Sequence, residues 1–276
     1  MVALNSDVES IEVFCKKVRK RILEISLNCD EPVHLGGGLS MVEITSVLYT
    51  SVLNYKMQDL RWEGRDRFIL SKGHGVLGFF PVLAEAGIIS ESELDTFKTN
   101  GSSLIAHPVQ NLDLGIESSN GSLGHGLSFG VGISVAAKIR GDNFRTFVLL
   151  GDGECNEGSV WEAAMSASQF CLNSLTVIVD FNGFQSDGKS SEIIESDDLA
   201  EKWRSFGWDV REIDGHSIPQ IIQALQFDVN QTKPRAIIAK TIKGKGISFM
   251  ENNNEWHHNR LTRARYDEAL IEIESC

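Results

Sequence analysis

Residues 145–188 read RTFVLLGDGECNEGSVWEAAMSASQFCLNSLTVIVDFNGFQSDG. Phe147–Leu150 is a short apolar run, the composition of a strand buried on both faces of a parallel sheet. It stops at Gly151-Asp152-Gly153. A second apolar run, Leu175–Val179, stops at Asp180 and Asn182. Val160–Cys171 has helical composition, so the stretch predicts a βαβ unit with an oxygen-bearing side chain after each strand. In open α/β sheets ligands gather at the carboxyl ends of the strands. Asp152 and Asn182 are therefore predicted to face that end as two hard oxygen ligands. Mg²⁺ takes such ligands and completes its octahedron with water and phosphate oxygens, so a diphosphate is the expected companion. Alone, Gly151-Asp152-Gly153 reads equally as a tight turn. The second strand ending in Asp180-Phe181-Asn182, with residues 154–181 between the motifs, is what favours the metal.

Outward from this unit the chain keeps alternating. Val8–Asn28 carries Ile11, Phe14, Val18, Ile22 and Ile25 at helical spacing. Pro32 and Gly36-Gly37-Gly38 break the pattern, and Ser40–Val52 reads as a second helix. Arg67–Leu70 is a short strand candidate leading into Ser71-Lys72-Gly73-His74-Gly75. Ser90 and Glu93 form a capping-box pattern toward Phe97. Residues 101–119 look irregular. Leu123–Arg140 reads as a helix with Gly126, Gly130 and Ser134 on one face, small residues that call for close packing. Trp208–Ile213 and Ala236–Thr241 are further strand candidates. The expected fold class is α/β, a mostly parallel central sheet with helices on both faces.

Composition sets bounds. A chain of 276 residues with 42% hydrophobic content can bury one sizeable core, and no linker or repeat divides it. A net charge of −12 argues against nucleic acid or an anionic membrane as partner. The acidic runs 192–201 and 267–274 read as solvated faces. The five cysteines, Cys15, Cys29, Cys155, Cys171 and Cys276, form no Cys-x-x-Cys pair, which fits a reducing cytoplasm. Residues 1–20 do not read as a secretory leader, and no window reaches the length of a membrane span.

Gly151-Asp152-Gly153 followed by Asn182 matches the thiamine-diphosphate signature. DRFILSKGHG (66–75), GSLGHGLSFGVG (121–132), GDGECNEGSVWEA (151–163) and KTIKGKGISFMENNNEWHH (240–258) occur in the order seen in transketolases. From about residue 10 to 258 the chain resembles the N-terminal, diphosphate-binding half of that family, and above all the N-terminal subunits of its split, two-chain members. The resemblance implies one thiamine-diphosphate-binding domain over residues 1–276, with Mg²⁺ held by Asp152, Asn182 and the backbone carbonyl of Phe184. Gly151 and Gly153 would lie against the diphosphate. Gly121 and Leu123 would line the cofactor rings, though Leu123 reads equally as core. Glu157 would join a subunit-interface network or simply complement a helix dipole. His34, His74, His107 and His257 would touch the diphosphate or the donor sugar and help move protons, work that suits imidazole. The doubling at His257-His258 leaves open which ring serves. His125 stands where many members have glutamine. Lys240, Lys243 and Lys245 make a basic patch that reads as a phosphate neighbour or as ordinary exposed lysines. Leu35 replaces the family's proline and CDEPV (29–33) its small-residue loop, which faces the donor in the family, so the resemblance does not carry over the usual pentose-phosphate substrates; HHNRL is a second departure, from the family's usual continuation.

In transketolases the glutamate that activates the pyrimidine ring lies in a second domain. The resemblance therefore implies a partner subunit carrying that pyrimidine-binding domain, as an α2β2 heterotetramer. The implied activity moves a two-carbon ketol unit from a ketose, expected to be phosphorylated, to an aldehyde. Two other readings share the metal motif: the α subunit of a thiamine-dependent 2-oxoacid dehydrogenase or decarboxylase, and a non-catalytic homologue that binds a partner. SKGHG and KGKGISFMENN favour transketolase over the first, and Asp152 with Asn182 speaks against the second.

Overall fold

The computed structural model describes residues 7–29, 31–194, 198–226, 228 and 230–275. Asp30 of the CDEPV segment, Cys276 and part of the 192–201 acidic run lie outside them. The strands are β1 (Arg67–Leu70), β2 (Thr146–Gly151), β3 (Leu175–Phe181), β4 (Asp209–Asp214) and β5 (Arg235–Lys240). They form one sheet in the order β1-β2-β3-β5-β4. Every neighbouring pair is parallel. Such a sheet must be covered on both faces, and the period of two divides its side chains cleanly. Phe68, Leu70, Phe147, Leu149, Ile178 and Ile237 join one core with the helices Val8–Asn28 and Ile218–Leu225. Ile69, Val148, Leu150, Val177, Val179 and Ile238 join a second with the helices His125–Arg140, Gly158–Gln169 and Leu199–Ser205. The edge strand β4 carries Asp209, Arg211 and Glu212 and is only half-buried, as suits an edge.

Each predicted strand is present, Arg67–Leu70 with the expected bounds and the others with ends shifted by one or two residues. The helix expected over 40–52 is instead an α-helical piece, Val42–Val47, continued by a π-helical turn, Leu48–Val52. The hydroxyls of Thr45 and Thr50 donate to the carbonyls of Met41 and Ser46, at 2.9 and 2.8 Å, bonds that loosen a helical ladder. Ser90 Oγ accepts from the Glu93 N–H at 3.1 Å, so the predicted cap is in place. The small face of His125–Arg140 packs as expected. A Cβ on Gly126 would lie 2.5 Å from Ser71 Cβ, and one on Gly130 would lie 2.6 Å from Val148 Cγ2. Among the described residues no helix is long and apolar enough to cross a membrane.

Candidate functional site

Parallel register levels the carboxyl ends of the central strands. Gly151 pairs with Asp180, and Phe181 with Lys240. The loops after β1, β2, β3 and β5 thus meet, delivering Lys72, Asp152, Asn182 and Thr241 to one place. At its centre is an ion pair that sequence reading did not single out as a site. Lys72 Nζ donates to Asp180 and to the Gly37 carbonyl, the latter at 2.9 Å. Both side chains are essentially inaccessible. Ser40 Oγ donates to the same carboxylate at 2.6 Å, and Thr241 Oγ1 donates to its other oxygen. Burial opposes ionisation of Asp180, but Lys72 and the hydroxyl donors bring it below the usual carboxylate range. This knot ties the Gly36-Gly37-Gly38 segment to the sheet.

Asp152 is buried beside it. Its Oδ2 accepts from the Gly183 N–H at 3.1 Å and from Ser190 Oγ at 2.8 Å. Burial pushes its carboxyl up to about 6, with Ser190 only partly opposing. A buried carboxylate this short of positive charge fits a cation. Asn182 Oδ1 accepts from the Phe184 N–H at 3.1 Å, while its amide donates to Asp180 at 3.2 Å. Asp152, Asn182 and Phe184 are therefore brought together. Among the described residues no group of three His, Cys, Asp or Glu side chains could enclose a metal. One carboxylate with amide and backbone oxygens instead suits Mg²⁺, which rarely uses an all-protein cage. Beside Gly153 lies Gln185, whose buried amide nitrogen has no protein hydrogen-bond partner, a polar gap of the kind a ligand fills. Glu154, also missed in the sequence, laces the loops: it accepts from the Gly124 N–H at 2.9 Å and the Gly151 N–H at 3.1 Å, and from Ser71 Oγ.

The histidines converge. The His34 ring lies 5.4 Å from His74, 6.1 Å from His107, 5.4 Å from His257 and 4.4 Å from His258, centroid to centroid. His74 and His257 are 5.7 Å apart. A Cβ on Gly37 would come 3.4 Å from the His74 ring, and one on Gly121 would come 3.8 Å from the His107 ring, so both glycine backbones lie directly against a ring of the cluster. Burial, reinforced by neighbouring rings, lowers His34 to about 3. Burial and then Lys243 lower His257 to about 4. Burial and Lys72 hold His74 far below its ordinary value, and burial also lowers His107. At neutral pH these rings are uncharged, so each is able to donate at one nitrogen and accept at the other. His258 is exposed, whereas His257 Nδ1 lies 2.8 Å from Lys243 Nζ, which places His257 deeper in the cluster.

Within the basic patch the three lysines differ. Lys240 is exposed and Lys245 half-buried, but Lys243 is 1% exposed and burial lowers it to about 8. Its Nζ also donates to Asn254 Oδ1 at 2.6 Å and to the Gln185 carbonyl at 3.2 Å, which links the histidines to the Gly153 loop. Glu157 stands apart: it is exposed and flanks Gly124. His125 and Gly121 are exposed too, and Leu123 is half-buried rather than core.

Glycine loops at the ends of parallel strands, with a buried carboxylate and uncharged histidines around them, define an α/β protein built for a phosphorylated cofactor. The chain belongs to the transketolase family of transferases: the family described as transketolase, thiamine diphosphate binding domain, matches residues 19–270. It is 42% identical over 269 residues to one of the named subunits of the apulose-4-phosphate transketolase of Actinobacillus succinogenes, covering 98% of both chains. It is 38% identical over 242 residues to the 6-deoxy-6-sulfo-D-fructose transketolase subunit SqwG of a Clostridium species, covering 87% of this chain and 88% of that one. A solved transketolase from Campylobacter jejuni superposes with a TM-score of 0.88 at 25% identity, over 98% of this chain. This chain spans 43% of the length of that structure.

Proposed function

We propose that the chain is the diphosphate-binding subunit of a two-chain transketolase that moves a two-carbon ketol unit from a ketose with an anionic end to an aldehyde. The convergence of His34, His74, His107 and His257 beside the Asp152–Asn182 loops carries this reading. Asp152, Asn182 and the Phe184 carbonyl would hold Mg²⁺, and the Gly151–Gly153 backbone would lie along the diphosphate. Thiamine diphosphate, when bound, supplies the carbon nucleophile and electron sink of the reaction. The chain's own contribution is binding and proton movement. Uncharged imidazoles can hold the hydroxyls of a sugar and pass a proton between oxygens without trapping it. Lys243 would add positive charge at the diphosphate side of His257. Gly121 and Leu123 would border the cofactor rings, and Glu157, being exposed, would suit a subunit contact.

One relative is named for a sugar phosphate and another for a sulfo sugar. Both names point to an anionic donor or acceptor. Two relatives are named as subunits and match this chain over most of their length, which supports a separate partner bearing the activating glutamate, assembled as α2β2. The family match over residues 19–270 supports reading the chain as one domain. The unpaired Cys15, Cys29, Cys155 and Cys171 support a cytoplasmic setting. The decisive experiment supplies the purified chain with thiamine diphosphate, Mg²⁺ and a ketose phosphate, with and without the partner. Transfer is expected only in the mixture. Robust turnover by the chain alone would overturn the two-chain reading, and carbon dioxide release from 2-oxoacids would point to a decarboxylase instead.

A further inference from the structure

A buried charged cluster lies behind the site and is not used by the proposed chemistry. Arg19, Glu43 and His216 come from the first helix, the helix Val42–Val47 and the turn after β4. Arg19 donates to Glu43 Oε1, and His216 Nδ1 lies 2.9 Å from Glu43 Oε2. Burial opposes ionisation of Glu43, but Arg19 and His216 together hold it well below the usual carboxylate range. The other ring nitrogen, His216 Nε2, receives the Ile242 N–H at 2.8 Å. An acceptor there carries no proton, so Nδ1 must carry it and donate to Glu43.

Ile242 is the middle of a loop with work on both sides. Thr241 donates to Asp180, and Lys243 meets His257, Asn254 and the Gln185 carbonyl. The same cluster grips the loop again further on, where Arg19 Nε donates to the Lys245 carbonyl at 3.2 Å. The turn that carries His216 is pressed against this loop. The Gly215 N–H donates to the Lys240 carbonyl at 2.8 Å, and a Cβ on Gly215 would lie 2.4 Å from Thr241 Cγ2. An ion pair this deep rarely adds much net stability over a well-packed apolar substitute. What it offers here is a directional acceptor aimed at one amide.

We infer that His216 is a positioning residue, held by Glu43 so that its Nε2 fixes the Ile242 amide and thereby sets Thr241 and Lys243 at the diphosphate end of the site. The inference rests on the proposed reading of that site. It differs from a packing role in needing an acceptor at one atom. His216→Leu keeps the bulk, removes the acceptor and leaves Glu43 paired with Arg19. His216→Gln restores an oxygen acceptor near the Nε2 position.

The test uses the full chain and both variants, with three measurements: hydrogen exchange at the Ile242 amide without cofactor, the thermal unfolding midpoint, and calorimetric affinity for thiamine diphosphate with Mg²⁺ in the presence of the partner subunit. His216→Leu is expected to exchange the Ile242 amide faster than wild type and to weaken cofactor affinity about tenfold, the scale seen when outer-shell partners are lost. The Leu unfolding midpoint should stay close to wild type, and His216→Gln should recover protection and affinity. Unchanged Ile242 exchange in His216→Leu would overturn the inference. So would Leu and Gln variants losing affinity together in step with their unfolding midpoints. If wild type binds no thiamine diphosphate while the exchange pattern follows expectation, the clamp stands and the reading of the site fails.

Discussion

At the scale of single residues, the site runs on side chains whose surroundings shift their charge. Asp152 is the clearest case: a carboxylate raised by burial, with no lysine of its own. Asp152→Ala is expected to abolish Mg²⁺-dependent binding of thiamine diphosphate while leaving the fold intact. Calorimetric titration checks the first part and circular dichroism the second; wild-type affinity in the variant would sink the metal assignment. The histidines make a prediction about pH. Burial takes His34 from 6.5 to about 3 and His257 from 6.5 to about 4. The unfolded chain takes up protons near pH 6.5, while the folded chain refuses them until far lower. Their contribution to stability is therefore whole above that point and is lost as pH falls through 6.5 toward about 4. Urea midpoints across this range should fall for the wild-type chain and fall less steeply for His34→Asn. Equal slopes would show that His34 protonates freely in the folded state.

Much of this residue-level picture was legible in the sequence. The four histidines and the trio Asp152, Asn182 and Phe184 sat in motifs, and the structure brings each group together. Lys72, Asp180, Ser40, Thr241 and Glu154 were not legible as a group. They come from five separate segments of the chain, and nothing in local spacing shows that a lysine at 72 will meet an aspartate at 180. Lys243 was named only as one of three lysines, because burial is a property of the fold and leaves no mark on a KGKG stretch.

At the scale of elements, glycine shows how one helix meets two different demands. Along His125–Arg140, Gly130 faces Val148 at a distance that leaves no room for a methyl group, whereas around Gly132 there is nothing within 4 Å. Gly→Ala in an open helix interior gains about 1 kcal/mol. At a packed face the extra methyl costs about 1–3 kcal/mol through overpacking. Gly132→Ala should therefore raise, and Gly130→Ala lower, the urea midpoint of the isolated chain. The same sign for both would mean that the helix does not pack on β2 as described. The sequence announced this face residue by residue: Gly126, Gly130 and Ser134 recur every four positions and are the buried ones, while Gly132 falls off that row and lies open. The predicted helix over 40–52 erred because apolar periodicity does not register the threonine hydroxyls that loosen its ladder.

At the scale of the whole molecule, the sheet order matters more than any one strand. The alternation of apolar runs and helices gave the α/β class, yet no local pattern could place β5 between β3 and β4. That insertion makes the last strand the one that locks the sheet. A chain ending at Lys233 would lack β5, Thr241, Lys243 and His257, and β4 would lose its partner strand. Such a truncation is expected to show no cooperative thermal transition by circular dichroism. A sharp, wild-type-like melt would show that β1, β2 and β3 fold as an independent unit.

The position of β5 has a further consequence during synthesis on the ribosome. The chain emerges in sequence order, so β3 and β4 are complete before the strand that belongs between them exists. Until residues 235–240 leave the exit tunnel, β3 presents an unpaired apolar edge, and β4 has nothing to bond to. An open edge of that kind is a template for pairing with another nascent chain. Early release before Arg235, or a pause that holds β3 and β4 outside the tunnel with residues 235–240 still within it, should therefore favour aggregation, while a pause after those residues have emerged should not.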